Sequence, residues 1–211
     1  MLVKDKMSKP VITITPETSV QEALQIMREK KIRRLPVMEG KKLVGIVTER
    51  DLLYASPSPA TTLSIQEMHY WLSKLRVKEI MKTPVITVDE NAPIEEAARL
   101  MADNKIGGLP VTKDGELVGI ITESDLFKVF TEMMAAREEG VRITLLVPER
   151  KGVLASITKA IASRGGNIVS LGQFWGEDLT TRTVTLKVTG MSQEALKEAV
   201  SQEGIKVLDI R

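Results

Sequence analysis

The 211-residue chain has no cysteine, which excludes disulfides, thiolate nucleophiles and cysteine-ligated zinc. It has one histidine, His69, too few for a metal site or acid–base apparatus built on imidazole. Aromatic residues are scarce, at 3%, and the formal net charge is only +2. No Lys/Arg run is interleaved with aromatics, so nucleic acid is not an expected partner. No apolar run approaches the roughly 18 residues of a membrane span, and the N-terminus shows no signal-peptide core. A cytoplasmic protein with no membrane partner is expected. Gly-x-Ser-x-Gly, Walker and Gly-x-Gly-x-x-Gly loops are all missing. Neither a catalytic residue, a metal ligand nor a catalytic cofactor is expected, so the chain reads as a non-enzyme.

What the chain does have is an internal repeat. Residues 3–52 return at 77–126 with a constant offset of 74 and no gap, with 23 identities in 50 pairs. Pro10-Val11-Ile12-Thr13 returns as Pro84-Val85-Ile86-Thr87, Leu35-Pro36-Val37 as Leu109-Pro110-Val111, and Leu43-Val44-Gly45-Ile46 as Leu117-Val118-Gly119-Ile120. Two copies of one unit can share a core about a pseudo-twofold axis, with two related sites in the cleft between them.

Each repeat reads as strand–helix–strand–strand–helix. Val11–Ile14 is β-branched. Ser19 precedes a helix with Val20, Ala23, Leu24 and Met27 at helical spacing and Glu22 completing a capping box. Leu35–Met38 and Leu43–Val47 flank a turn at Glu39-Gly40, and Thr48 can cap a second helix. Met7 and Met81, like Met27 and Met101, recur as pairs and read as core. A turn-rich linker over 55–62 leads to Ser64-Ile65-Gln66-Glu67, a further capping box, and a helix to about Leu75 that carries His69, Tyr70 and Trp71. Its aromatic face is expected to pack on the repeats or on a partner subunit. After Leu126 a helix is expected to run to about Glu138, with Gly140 ending it. The remainder reads as strand Arg142–Val147, a helix from Gly152 to Ser163, strands Asn167–Leu171 and Thr183–Val188, a helix capped by Ser192, and strand Ile205–Ile210. That is the ferredoxin-like β-α-β-β-α-β order.

Thr48 and Asp51 recur as Thr122 and Asp125. A carboxylate on a first helical turn can accept hydrogen bonds from both hydroxyls of a ribose. A threonine hydroxyl and free N–H groups at the same helix start favour phosphate. The same residues also make an ordinary helix cap. Arg33-Arg34 stands where the second repeat has Gly107-Gly108, and Arg50 where it has Ser124, so the symmetry breaks in charge.

Each repeat resembles a CBS motif and the pair a Bateman module, on the Leu-Pro-Val and Leu-Val-Gly-Ile strands and the doubled Thr-x-x-Asp. Residues 140–211 resemble an ACT domain, on Glu149-Arg150-Lys151-Gly152-Val153-Leu154 and Gly166-Asn167-Ile168. That family usually has Asp or Asn at the position of Glu149 and Pro at that of Lys151. The order resembles the acetoin-utilization AcuB-type family. The resemblance implies an α/β (α+β type) chain: CBS motif 1 over 1–56, an insertion over 57–76, CBS motif 2 over 77–136 and a ferredoxin-like ACT domain over 140–211. It implies ribose at Asp51 and Asp125, phosphate near Thr48 and Thr122, and an apolar base slot of Thr13, Ile14, Ile32 and Pro36 or Thr87, Val88, Ile106 and Pro110. Basic residues of this kind reach across the dyad, so Arg33, Arg34 and Arg50 are expected to serve the Thr122–Asp125 site. Gly107, Gly108 and Ser124 then face the Thr48–Asp51 site. Phosphorylated ligands are expected at the former, and an adenosyl ligand without phosphate at the latter.

In the ACT segment Glu149, Gly152 and Asn167 match effector positions at a subunit interface; a tight turn at Gly152 and a capped loop at Asn167 are the alternative reading, which the departures at Glu149 and Lys151 favour. The expected function is a regulatory homodimer sensing AMP, ADP, ATP or an S-adenosylmethionine-like metabolite, with an amino-acid-type effector at the ACT domain and an unidentified regulated enzyme as target. The alternative is a dimeric interaction scaffold with vestigial sites.

Overall fold

The computed structural model describes residues 1–55, 64–176 and 178–211. They form two compact units, Met1–Leu126 and Phe127–Arg211. The linker expected over 55–62 lies, beyond Ala55, outside the described residues, as do the side chains of His69 and Trp71.

In the first unit, the first repeat contributes α1 (Val20–Lys30), β1 (Arg34–Glu39), β2 (Lys42–Thr48) and α2 (Glu49–Tyr54). The insertion supplies α3 (Ile65–Lys74), opened by reciprocal bonds between Ser64 and Glu67. The second repeat adds β3 (Val88–Asp89), α4 (Ile94–Asn104), β4 (Gly108–Lys113), β5 (Glu116–Thr122) and the start of α5 (Glu123–Met133), whose residues from Phe127 on are counted in the second unit. Helix α1 begins where Ser19 Oγ accepts from the Glu22 amide at 3.1 Å, and its apolar stripe of Val20, Ala23, Leu24 and Met27 is buried. The hairpins β1–β2 and β4–β5 match pair for pair, down to a register slip after Val37 in one and Val111 in the other.

The expected strand Val11–Ile14 shrinks to a single parallel bridge between Ile14 and Val37, and its counterpart to the two residues of β3. The reason lies in β1. Ile14 N donates to Pro36 O and Met38 N donates to Ile14 O, but the next upstream bond would need an N–H on Pro36, which proline lacks. Pro110 imposes the same stop on β3.

The repeats do not fold side by side; they exchange their leading segments. Val3 N donates to Ala92 O and Lys4 N to Glu90 O, both at 2.9 Å. At the same offset of 74, Val77 N donates to Thr18 O at 2.9 Å and Lys78 N to Pro16 O at 3.0 Å. Ser8 and Ile120 bond reciprocally, as do Lys82 and Ile46. Val77 is therefore fully buried in the core of the first repeat, beside Val20, Leu24, Leu35 and Val47. Met7 packs on Gly119 and Met81 on Gly45, each methionine occupying the space a Cβ would need.

The second unit holds β6 (Val141–Pro148), α6 (Val153–Ser163), β7 (Asn167–Trp175), β8 (Thr181–Thr189), α7 (Gln193–Ala199) and β9 (Lys206–Ile210). The sheet order is β7-β8-β6-β9, antiparallel throughout, the ferredoxin-like arrangement. Ile143, Leu145 and Val147 of β6 and Val184, Leu186 and Val188 of β8 alternate inward against Val153, Ile157 and Ile161 of α6. Helix α5 ends at Met133, not near Glu138. Ala136 N donates to Thr131 O and Ala135 N to Glu132 O while Ala135 takes φ +47°. This is a Schellman closure made by alanine, and its Ala135 carbonyl accepts from Lys187 Nζ at 2.9 Å.

Gly45→Ala should cost about 1–3 kcal/mol, because the new Cβ would overlap Met81 Sδ and lie 2.9 Å from its Cγ. Urea unfolding should show the Gly45→Ala, Met81→Ala double variant to be less destabilised than the two single costs added together. Strict additivity would mean that the leading segment does not pack there.

Candidate functional site

The exchange of leading segments opens a cleft of about 780 Å³ in the first unit, within the usual range for small-molecule sites. One wall comes from the first repeat, with Arg33 and Arg34 at the start of β1, Ile46 and Thr48 of β2, and Glu49, Arg50, Asp51 and Tyr54 of α2. The other comes from the second repeat. The crossing segment supplies Lys82, Pro84 and Ile86, and the entry to β4 supplies Lys105, Ile106, Gly107 and Gly108.

Thr48 and Asp51 form a complete reciprocal cap on α2. The Thr48 amide and hydroxyl both donate to Asp51 Oδ2, at 3.0 and 2.5 Å, and the Asp51 amide donates back to Thr48 Oγ1 at 3.2 Å. The capping and ligand readings thus share one carboxylate. Oδ2 is saturated by the cap, and Oδ1 faces the cleft, where Lys82 Nζ lies 3.0 Å away. Burial pushes the Asp51 carboxyl up, but the Thr48 hydrogen bonds and Lys82 outweigh it and hold it below the ordinary carboxylate value. Thr122 and Asp125 repeat the cap, with the Thr122 amide and hydroxyl on Asp125 Oδ2 at 3.0 and 2.7 Å. The position matching Lys82 is Ser8.

The arginines stand differently from expectation. Arg33, Arg34 and Arg50 line the same cleft as Thr48 and Asp51, together with Gly107, Gly108 and Ile106. Arg34 does cross to the second repeat. It passes over Gly107 and Gly108, where a Cβ on Gly108 would sit 3.2 Å from Arg34 Cδ and one on Gly107 would strike its guanidinium. The glycine pair is thus the steric complement of the arginine. Burial lowers the Arg34 pKa, partly offset by Glu123 beside Thr122, while Arg33 lowers it further.

Thr13, Ile32, Pro36, Thr87, Pro110, Thr122, Ser124 and Asp125 are not in the cleft's lining. Pro36 and Pro110 are buried strand residues and Thr13 is exposed. The apolar wall is instead Ile46, Pro84, Ile86 and Ile106. Lys82 is not legible as a site residue because its nearness to Asp51 follows from the exchanged segment; Lys105 joins the same lining from the end of α4. The mismatch of Lys82 with Ser8 was the one available signal.

In the second unit Glu149 pairs with Arg182, whose guanidinium stacks 3.3 Å over the Trp175 ring. Gly152 begins α6 at φ +87°. Asn167 pairs with Thr189 at the opposite end of the sheet, about 26 Å from the Trp175 end at ~3.3 Å per residue. One copy of the chain therefore does not bring Glu149 and Asn167 to a common site. Among the described residues no helix is long and apolar enough to cross a membrane, and no cluster of His, Asp or Glu could hold a metal.

The sequence profile of the CBS domain matches residues 3–58 and again 77–132. The chain belongs to the CBS-domain family. A TTHA0829-like ACT domain follows over 139–211. The CBS pair is 38% identical over 136 residues to a CBS domain-containing protein of Dictyostelium discoideum, covering 64% of this chain and 94% of that one. It is 40% identical over 136 residues to inosine-5'-monophosphate dehydrogenase of Korarchaeum cryptofilum, covering 64% of this chain but only 25% of the enzyme. Among solved structures, the CBS pair of protein MJ0100, in complex with 5'-methylthioadenosine and S-adenosyl-L-methionine, matches with TM-score 0.53 and 33% identity. It covers 65% of this chain and 98% of that one. A Vibrio cholerae protein assigned to acetoin utilization (AcuB) matches with TM-score 0.53 and 32% identity, over 66% of this chain and 98% of that one. The CBS–CBS–ACT order and the AcuB-type neighbour agree with the resemblance read from the sequence.

Because the Asp51 carboxyl is held low in the fold, it stabilises the protein above its unfolded value of about 4, and that contribution is lost as pH falls through the folded value. Urea midpoints between about pH 6 and pH 2 should therefore drop more steeply below pH 4 for wild type than for Asp51→Asn, the two converging at the acid end. Parallel curves would mean that the carboxylate is not engaged.

Proposed function

We propose that this CBS–ACT chain is a ligand-responsive regulator, not an enzyme, and that its CBS pair binds an adenine nucleotide on the Thr48–Asp51 side of the cleft. One observation carries the reading. A single cleft combines a carboxylate oxygen directed inward, an apolar wall and five basic residues against two acidic ones. Asp51 Oδ1 has two lone pairs for the two ribose hydroxyls. Ile46, Pro84, Ile86 and Ile106 suit the base. Arg33, Arg50, Lys82 and Lys105 suit phosphate, with Arg34 spanning to Glu123. The MJ0100 pair supports the adenosyl class of ligand. The basic wall supports an anionic member over a sulfonium, and supports a phosphate preference on the Thr48–Asp51 side. This reverses the assignment expected from the sequence, and leaves the second Thr-x-x-Asp, at Thr122 and Asp125, as the proposed place for a ligand without phosphate.

A homodimer fits the exposed Leu53 and Tyr54 on α2. It is also what an ACT effector at Glu149, Gly152 and Asn167 would require, since one copy separates those residues. Binding acts by favouring one packing of the module over another, and the output is affinity for a regulated enzyme in the cytoplasm.

Calorimetry with AMP, adenosine and S-adenosylmethionine tests the reading. AMP should bind, and at a hundred times its Kd it should stabilise the fold by about 2.7 kcal/mol. Asp51→Ala should weaken AMP and adenosine by roughly tenfold or more, whereas Arg50→Ala should weaken AMP alone. Failure of every adenosyl ligand to bind would favour a scaffold acting by protein contact.

A further inference from the structure

Four features meet at Lys82. The residue belongs to the second repeat but is fixed beside the first by a two-way backbone bridge to Ile46, with bonds of 3.2 and 2.9 Å, and by the packing of its neighbour Met81 on Gly45. Its ammonium lies 3.0 Å from Asp51 Oδ1, the one carboxylate oxygen that the cap leaves facing the cleft. The Lys82 side chain is 66% exposed, against 14% for Asp51, so the ion pair is weak and its lysine end is free to swing. The repeat-related position holds the uncharged Ser8.

We propose that Lys82 is the charge selector of this cleft, holding the oxygen that a ribose would take and repaying its displacement only when the ligand carries an anion. The inference rests on the nucleotide reading above. A ribose that donates to Asp51 Oδ1 removes the partner of Lys82. With a phosphorylated ligand, the freed ammonium joins Arg33 and Arg50 on the phosphate and regains a partner. With a neutral adenosyl ligand it regains nothing, and the lost ion pair counts against binding. With a cationic one it adds repulsion. Selectivity for charge thus comes from competition at one oxygen, in addition to the general field of the arginines.

The experiment is calorimetry of AMP and of neutral 5'-methylthioadenosine against wild type, Lys82→Ser and Lys82→Arg, at one ionic strength. Unfolding midpoints should shift only slightly, as expected for a pair whose lysine end is exposed. Lys82→Ser should weaken AMP by roughly tenfold, leave 5'-methylthioadenosine equal or tighter, and so reduce the preference for AMP by about tenfold or more. Lys82→Arg should restore the wild-type preference. An unchanged preference in Lys82→Ser, with wild type still binding AMP, would overturn the selector and leave the nucleotide reading standing. Equal weakening of both ligands would assign Lys82 a structural role and overturn it too. If wild type binds neither ligand, the nucleotide reading fails first and the selector falls with it.

Discussion

The backbone hydrogen bonds that carry each leading segment into the opposite repeat are the constraint on which the first unit depends. Val3 on Ala92 and Val77 on Thr18 are the same bond seen from two ends of a pseudo-twofold axis. Because of it, neither repeat owns a complete core: the first is finished by Val77, which belongs to the second by sequence. The cleft has the same origin. Lys82, Pro84 and Ile86 stand opposite Thr48 and Asp51 because the segment carrying them has crossed over.

A symmetric scaffold is then used asymmetrically. The backbone keeps the offset of 74 in its caps, hairpins and register slips, while the side chains at the cleft depart from it. Arg34 fills the space that glycines leave at 107 and 108, so the Arg-Arg and Gly-Gly pairs are two halves of one steric fit. Lys82 opposes Asp51, where the other repeat has Ser8. The result is one carboxylate with two assignments. Its Oδ2 caps α2, which favours an ordered first turn, and its Oδ1 faces a strongly basic cleft. The depressed Asp51 pKa and the proposed ribose contact therefore describe one arrangement of charge.

Much of this was legible in the sequence because it was written twice. The hairpins, the helix caps at Ser19 and Thr48, and the β-α-β-β-α-β order of the second unit follow from periodicity and turn chemistry. The misreadings have specific physical causes. Strand Val11–Ile14 fails because Pro36 has no N–H to extend the ladder. Helix α5 stops at Met133 because alanine, not glycine, takes the left-handed position of its closing turn. The sequence shows the arginines as a break in symmetry, but not that they line one cleft with Thr48 and Asp51, nor that Arg34 passes over Gly107 and Gly108, since both are set by tertiary packing that linear alignment cannot display. Lys82 stayed hidden for the same reason.

Native-state hydrogen exchange of the two crossing segments, with and without AMP, tests this account most directly. If the crossing completes both cores, the amides of Val3, Ser8, Val77 and Lys82 should be protected to nearly the level of β2 and β5, and AMP should raise protection at Lys82 and Ile46. Leading-segment amides that exchange as open loops while the β-strands stay protected would contradict it, since the repeats would then be folding without each other.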